Sequence, residues 1–165
     1  MLDAGSGDGN NINFLLNFFA SRKIKIKLTA LDYNKVRLER LRKIKNINIE
    51  YGNILNIKHP KEKFDFILCS HVIEHIENCD DALKELKRVL KKDGFLILSV
   101  PNEGCLLSQI RNNILQRKIL KYTDHKHFFT KNSLLTLTKK AGFNLGYKVL
   151  LEGFSLPHFG VDRDR

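Results

Sequence analysis

The sequence predicts an α/β fold built on a doubly wound, mostly parallel sheet, and three observations carry that expectation. Residues 1–9, MLDAGSGDG, read as a short apolar strand followed by a turn with glycines at Gly5, Gly7 and Gly9, and a helix-like run comes next. Further along, apolar strand-like runs alternate with stretches of helical periodicity, the pattern that right-handed crossovers convert into a parallel sheet. Each polar motif falls where a strand-like run ends, which is where open parallel sheets bind their ligands.

The elements follow in order. Ile12, Leu15, Leu16 and Phe19 recur at helical spacing, so 11–20 is expected to lay an apolar stripe on the sheet. In 24–31, Ile24, Ile26 and Leu28 alternate with Lys23, Lys25 and Lys27, which suits a strand whose lysine end protrudes. Asn34 can cap a helix in which Val36, Leu41 and Ile44 share a face, and 47–51 is a short third strand ended by Gly52 and Asn53. The run 64–69 is apolar except for Asp65, as expected of a buried central strand. Residues 71–76 then begin a loop or short helix. Asp80 or Asp81 is expected to cap a helix with the core face Leu83, Leu86, Val89 and Leu90, after which Asp93-Gly94 turns the chain into a fifth strand, 95–100, stopped by Pro101. Beyond it, 103–130 reads as an amphipathic helical insertion through Leu106, Leu107, Ile110, Ile114 and Leu115; 133–141 is a helix closed by Gly142, 145–151 a sixth strand, and 153–165 a loop.

Composition sets outer limits. At 165 residues and 42% hydrophobic content, the chain is expected to be a single domain, 1–165. No window approaches the roughly 18 apolar residues of a membrane span and no signal-peptide pattern is present, so a soluble, cytoplasmic protein is expected. Cys69, Cys79 and Cys105 show no C-x-x-C pairing, which suggests reduced thiols, with neither a disulfide framework nor a zinc knuckle. The net charge of +11 could attract a phosphate backbone, but the basic residues are distributed over many helix-like stretches, so a nucleic-acid partner is not favoured. Only Met1 to Ala4 precede the first glycine, where a parallel strand has about five residues. A fragment or mis-started reading frame is therefore expected.

The turn carries the chemistry. Glycines allow positive φ and close approach of backbone to a ligand, while the helix start leaves unpaired N–H groups, so the turn can hold a nucleoside cofactor. The dinucleotide fingerprint G-x-G-x-x-G does not fit, because the third glycine comes one residue early, at Gly9, and Asn10 follows. Asp32, at the end of the second strand-like run, can accept from both hydroxyls of a ribose.

LDAGSGDG, LTALD, FDFILCSHVIEHI, GFLILSVPN and HFFTKNSLLTLTKKAGF, in that order and over almost the whole chain, resemble the class I S-adenosylmethionine-dependent methyltransferases, in particular their small-molecule branch. The resemblance implies a Rossmann-like fold, S-adenosylmethionine as cofactor, and transfer of its methyl group to an oxygen, in preference to a nitrogen, of a small-molecule acceptor. Gly5, Ser6, Gly7 and Gly9 would then shape the cofactor loop, and Asp3 would order the turn and meet the methionine amine directly or through water. Asp32 would hold the ribose, Tyr33 would flank the adenine, Asn53 and Ile54 would line its edge, and Ser70 would face the methionine part. Residues 103–130 would face the acceptor.

An oxygen nucleophile of high pKa also needs a base, and His is the side chain matched to neutral pH. Among His71, His75, His125 and His127, the choice is His71 with His127 behind it. H-V-I-E-H also spells the H-x-x-E-H of a zinc hydrolase, a reading that leaves the turn and Asp32 unexplained. The ubiquinone-biosynthesis O-methyltransferases and small-RNA 2′-O-methyltransferases have E-x-x-E-H here and bind a divalent metal with it; this chain has His71 in place of the first Glu, which counts against magnesium, although His125 or His127 could complete a softer site, and no metal ligand is assigned. The rival functions are a metal-assisted RNA 2′-O-methyltransferase and a non-catalytic cofactor-binding or interaction module.

Overall fold

The computed structural model describes residues 1–101 and 125–144. Within them, β1 (Leu2–Ala4), β2 (Leu28–Asp32), β3 (Ile47–Tyr51), β4 (Phe64–Ser70) and β5 (Leu90–Ser99) form one parallel sheet in the order β3-β2-β1-β4-β5. After β1 the chain winds outward to β2 and β3, then returns to the other side of β1 for β4 and β5. The two halves part between β1 and β4, and the crevice at the carboxyl ends there is the natural ligand position of such sheets.

Helices cover both faces. On one, α1 (Asn10–Ser21) and α2 (Lys35–Leu41) bury Ile12, Leu15, Leu38 and Leu41 against Leu28, Ala30 and Leu68. On the other, α3 (Cys79–Val89) packs Leu83, Leu86 and Val89 against Leu2, Ala4, Ile67 and Cys69, and α4 (Lys131–Lys140) lies beside it. β2 is buried at all five positions because it has a helix layer on either side. A 3₁₀ turn, Ile73–His75, follows β4.

Several sequence expectations need correction. β2 begins at Leu28, and Lys23, Ile24 and Lys25 lie outside it, exposed. Asn34 does cap α2, its Oδ1 accepting from Val36 and Arg37 N–H, but the buried face is Leu38 and Leu41 while Val36 is exposed. α3 starts one residue earlier than Asp80, with Asn78 at its N-cap and no side-chain cap bond; Asp80 and Asp81 sit in its first turn, where a negative charge suits the helix dipole. The expected turn at Asp93-Gly94 is instead an irregular start to β5. Phe64 pairs with Leu90 and Phe66 with Phe95, so the extra residues bulge out, and a side chain at Gly94 would press on Leu90 and the Asp65 carbonyl. α4 begins at Lys131 under a capping box made by Thr130 and Ser133. Residues 103–124 of the expected insertion, the sixth strand at 145–151 and the loop at 153–165 lie outside the described residues.

One charged clamp fixes the long connection from β3 to β4. The Arg88 guanidinium donates to the carbonyls of Ile57 and His59 and to both carboxylate oxygens of Glu85, all at 2.7–2.8 Å, while Glu85 Oε1 also accepts from Ile57 N–H. This holds the 53–59 segment on α3. Arg88→Ala strands two partly buried carbonyls and a carboxylate, so a loss of about 2 kcal/mol is expected in urea unfolding. Arg42→Ala, which removes an exposed pair with Glu39, should leave the midpoint unchanged.

Candidate functional site

Three strand ends build the site. At the end of β1 the chain turns through Gly5, Gly7 and Gly9, with φ of 83°, 53° and 84°. Gly5 and Ser6 N–H both donate to Leu31 O, and Gly7 N–H donates to Asp32 Oδ2 at 2.8 Å. Asp32 Oδ1 accepts from Asn34 N–H at 2.8 Å. The Gly-rich turn is therefore fastened to the end of β2, and Asp32 keeps lone pairs on both oxygens for a further donor. At Gly5 a β-carbon would collide with Val72, so the turn also abuts the chain leaving β4. Gly9 caps α1 without a side-chain acceptor, leaving the first-turn N–H groups for a ligand or solvent.

Asp3 departs from expectation. It makes none of the turn's hydrogen bonds; Leu31 and Asp32 do that work. Its carboxylate is 1% exposed, in register between Ala30 and Leu68, and both oxygens lack a hydrogen-bond partner among the described residues. Burial, and then the nearby charge of Asp32, push its pKa up to about 7. Ser6 Oγ is likewise buried without a partner. A buried pair of unsatisfied groups at a strand end marks a place where a donor from outside can be received.

The remaining assignments spread around this crevice. Tyr33 is 76% exposed beside Asp32, free to lie against a flat ring. Asn53 is exposed, and its Oδ1 accepts from Leu55 N–H, which occupies one of its two acceptor positions. Ile54, by contrast, is a core residue, packed on the α3 side and 8% exposed. Ser70 ends β4, half-buried. His71 follows with φ of 54°, a left-handed conformation that turns its ring outward, and its N–H is anchored on Ser99 O.

A group visible only in part from the sequence lies below His71. Glu74 is 1% exposed, with Oε1 3.4 Å from His71 Nδ1 and 3.9 Å from His75 Nε2, contacts too long for strong hydrogen bonds. The Glu74 main-chain carbonyl accepts from the N–H groups of Lys126 and His127, which brings the returning segment against the 3₁₀ turn. His125 then stands 4.7 Å from the His75 ring, and ligand atoms of Glu74, His75 and His125 lie within 4.8 Å of one another. His127 points elsewhere: its Nε2 meets Glu77 O at 3.0 Å and its ring lies beside Phe129. The histidine behind the 3₁₀ turn is thus His125, not His127; nothing in the sequence ranks two histidines one residue apart.

The raised Asp3 pKa makes stability depend on pH. A native carboxyl that titrates near 7 keeps its proton where the unfolded chain, near 3.8, has released it. Unfolding then sheds a proton between about pH 4 and pH 7, and stability falls as pH rises through that window, by at most about 4 kcal/mol in total. Asp3→Asn should flatten this part of the urea-midpoint profile and be the more stable protein at pH 8; an unchanged slope would mean Asp3 is ionised in the native state.

The geometry agrees with what known proteins show. A family model described as a methyltransferase domain matches residues 1–147. An uncharacterised protein of Methanocaldococcus jannaschii is 34% identical over 66% of this chain and 44% of its own length, and a ubiquinone biosynthesis O-methyltransferase of Pelagibacter ubique is 30% identical over 52% of this chain and 37% of its own. The chain thus matches about two fifths of the length of these curated relatives. Among solved structures, an S-adenosylmethionine-dependent methyltransferase of Thermotoga maritima, described as a possible histamine N-methyltransferase, is 27% identical with a TM-score of 0.65, over 87% of this chain and 63% of that one. No helix of the described residues is long and apolar enough to cross a membrane. By its sheet order, its Gly-rich turn and the family match over most of its length, the chain belongs to the class I S-adenosylmethionine-dependent methyltransferases.

Proposed function

We propose that this domain binds S-adenosylmethionine in the crevice between β1 and β4 and transfers its methyl group to an oxygen, in preference to a nitrogen, of a small-molecule acceptor. The observation that carries the reading is the Gly7–Asp32 hydrogen bond, which sets the glycine turn and a ribose-type carboxylate side by side. The residues fit the cofactor: the buried Asp3 carboxyl and Ser6 hydroxyl lack partners among the described residues, and a side chain at Gly5 would close the space beside Val72. Asp3 and Ser6 face the methionine end, Asp32 the ribose, and Tyr33 and Asn53 the adenine, with Ile54 offering its main chain and edge. The free thiols of Cys69 and Cys79 suit a reducing compartment, and we place the protein in the cytoplasm.

When bound, the cofactor supplies an activated methyl on a sulfonium. The chain then has to line up the acceptor and keep out water. His71, exposed at the rim, takes the acceptor's proton, and buried Glu74 beside Nδ1 steadies the ring. Residues 103–130 are assigned to the acceptor side on their place in the chain after β5. Calorimetric titration of the folded protein with S-adenosylhomocysteine tests the reading. Binding should be seen, and Asp32→Ala should weaken it by about 1.5–3 kcal/mol, the worth of hydrogen bonds to a charged group. Absence of heat would favour the non-catalytic interaction module.

A second reading, metal-assisted transfer of the kind RNA 2′-O-methyltransferases perform, is favoured by one specific observation: Glu74, His75 and His125 converge, and both Glu74 oxygens lack a hydrogen bond among the described residues. Two imidazoles and one carboxylate suit Zn²⁺, Co²⁺ or Mn²⁺ better than Mg²⁺. The three residues would hold the ion near His71, where it could orient an acceptor's hydroxyls. Titration with Co²⁺, followed by its visible absorption, should show one site that His125→Ala weakens by about tenfold or more; a spectrum identical to that of aqueous Co²⁺ would remove this reading and leave the first intact.

A further inference from the structure

Among the described residues, a row of lysines stands at the end of the sheet opposite the cofactor turn. Parallel strands all begin at one end, and here each of the four strands after β1 is entered through lysine. Lys27 precedes β2, Lys45 stands two residues before β3, Lys63 precedes β4, and Lys91 and Lys92 open β5. Register fixes them as neighbours: Leu28 pairs with Ile47, Phe64 with Leu90, and Leu2 of β1 pairs with both Thr29 and Ile67. Adjacent strands are about 4.8 Å apart, so five of them set these ammonium groups along a row about 20 Å long.

Little of this charge is cancelled. Lys91 is paired with Asp65, but Lys27, Lys45, Lys63 and Lys92 have no carboxylate within ion-pairing distance among the described residues, and all are exposed. At the β5 end the row opens into a cleft of about 390 Å³ with Lys61, Lys84, Lys87 and Lys92 on its walls and Glu62 as its carboxylate. Lys84 is held by Asp81, whereas Lys61 and Lys87 have no ion pair among the described residues. Beside the start of β2, next to Lys27, come Lys25 and the exposed Ile24 and Phe18, with the Arg22 guanidinium 3.7 Å from the Phe18 ring centre. The carboxyl ends of the strands hold the buried carboxylates Asp3, Asp32 and Glu74, and there Arg40 pairs with Asp8 of the turn.

We propose that this end of the domain docks on the phosphate backbone of a single-stranded nucleic acid. A row of cations matches a linear polyanion, and a phenyl ring beside an arginine next to it is the kind of platform on which a base stacks. An anionic membrane would call for apolar side chains along the whole row, and Phe14, Phe18 and Ile24 come from α1 and the chain entering β2 alone. The row faces away from the cofactor turn, so the contact holds the domain on the polymer and does not feed the site. It stands or falls independently of the methyl acceptor.

Fluorescence anisotropy of the full chain with a labelled 20-nucleotide single strand tests this, over a salt series. Binding should weaken with salt at a log–log slope of about −2 to −3, corresponding to three or four phosphates. The triple variant Lys27→Glu, Lys63→Glu, Lys92→Glu should lose at least about tenfold in affinity and most of that slope. These exposed positions lie outside the cofactor crevice, so its melting temperature and its S-adenosylhomocysteine affinity should match the parent's. No binding at low salt, or equal binding by the triple variant, would overturn the proposal. So would binding to phosphatidylserine vesicles in the absence of any oligonucleotide binding.

Discussion

The hydrogen bond from Gly7 N–H to Asp32 Oδ2 ties the connection after β1 to the connection after β2. β1 and β2 are adjacent and in register, so their carboxyl ends are brought level by the sheet itself. What the sheet does not fix is the path of the chain after β1, and a turn with three positive-φ residues has few internal bonds to define it. Asp32 supplies the definition, with Leu31 O holding Gly5 and Ser6 from the same strand end. The carboxylate is 4% exposed, and two main-chain donors compensate its burial. A residue that shapes the turn and also faces the crevice cannot be altered at one of these tasks alone.

Asp3 and Glu74 are the contrast. Each is 1% exposed, and neither has a hydrogen bond to its carboxylate oxygens among the described residues. A core selected for stability alone would place an apolar side chain at either position, since an unsatisfied buried carboxylate costs more than it returns. Their cost is offset by the apolar layers on both faces of the sheet, where Leu2, Ile67, Leu83 and Leu86 are fully buried. Both lie at carboxyl ends flanking the β1–β4 parting. Strain of this kind at the ends of strands, with a well-packed middle, is how a rigid scaffold comes to hold a receptive site.

The parallel sheet, the cap at Asn34, β3 and the buried β4 were legible because each rests on local signals: periodicity, a capping side chain, a continuous apolar run. The pairing of Gly7 with Asp32 was legible in outline, since parallel strands must end together. Asp3 was misread as a turn-former because the sequence shows its distance from the glycines along the chain and not which way its side chain points. The start of β5 was misread because Asp93-Gly94 is good turn chemistry, and only the register with β4 shows the turn absorbed as a bulge. His125 and His127 sit one residue apart in a segment with no periodicity. Their division of labour follows from the two N–H groups donated to Glu74 O, a long-range contact with no local signature.

The same limitation explains why the basic residues looked scattered. Along the chain they fall in four separated stretches, 23–27, 37–45, 84–92 and 111–121, which read mostly as the polar sides of helices. In a doubly wound sheet, however, every helix runs back against the strands, so every helix ends where the next strand begins. Lysines that lead into strands are thereby brought to one pole whatever their spacing in sequence, whereas Arg40, in the last turn of α2, pairs with Asp8 of the glycine turn. The buried carboxylates stay at the other pole, where strands end and helices begin. The winding of the chain thus sorts charge by position within each β–α unit, and a sequence reading that treats the clusters one by one cannot see the sum.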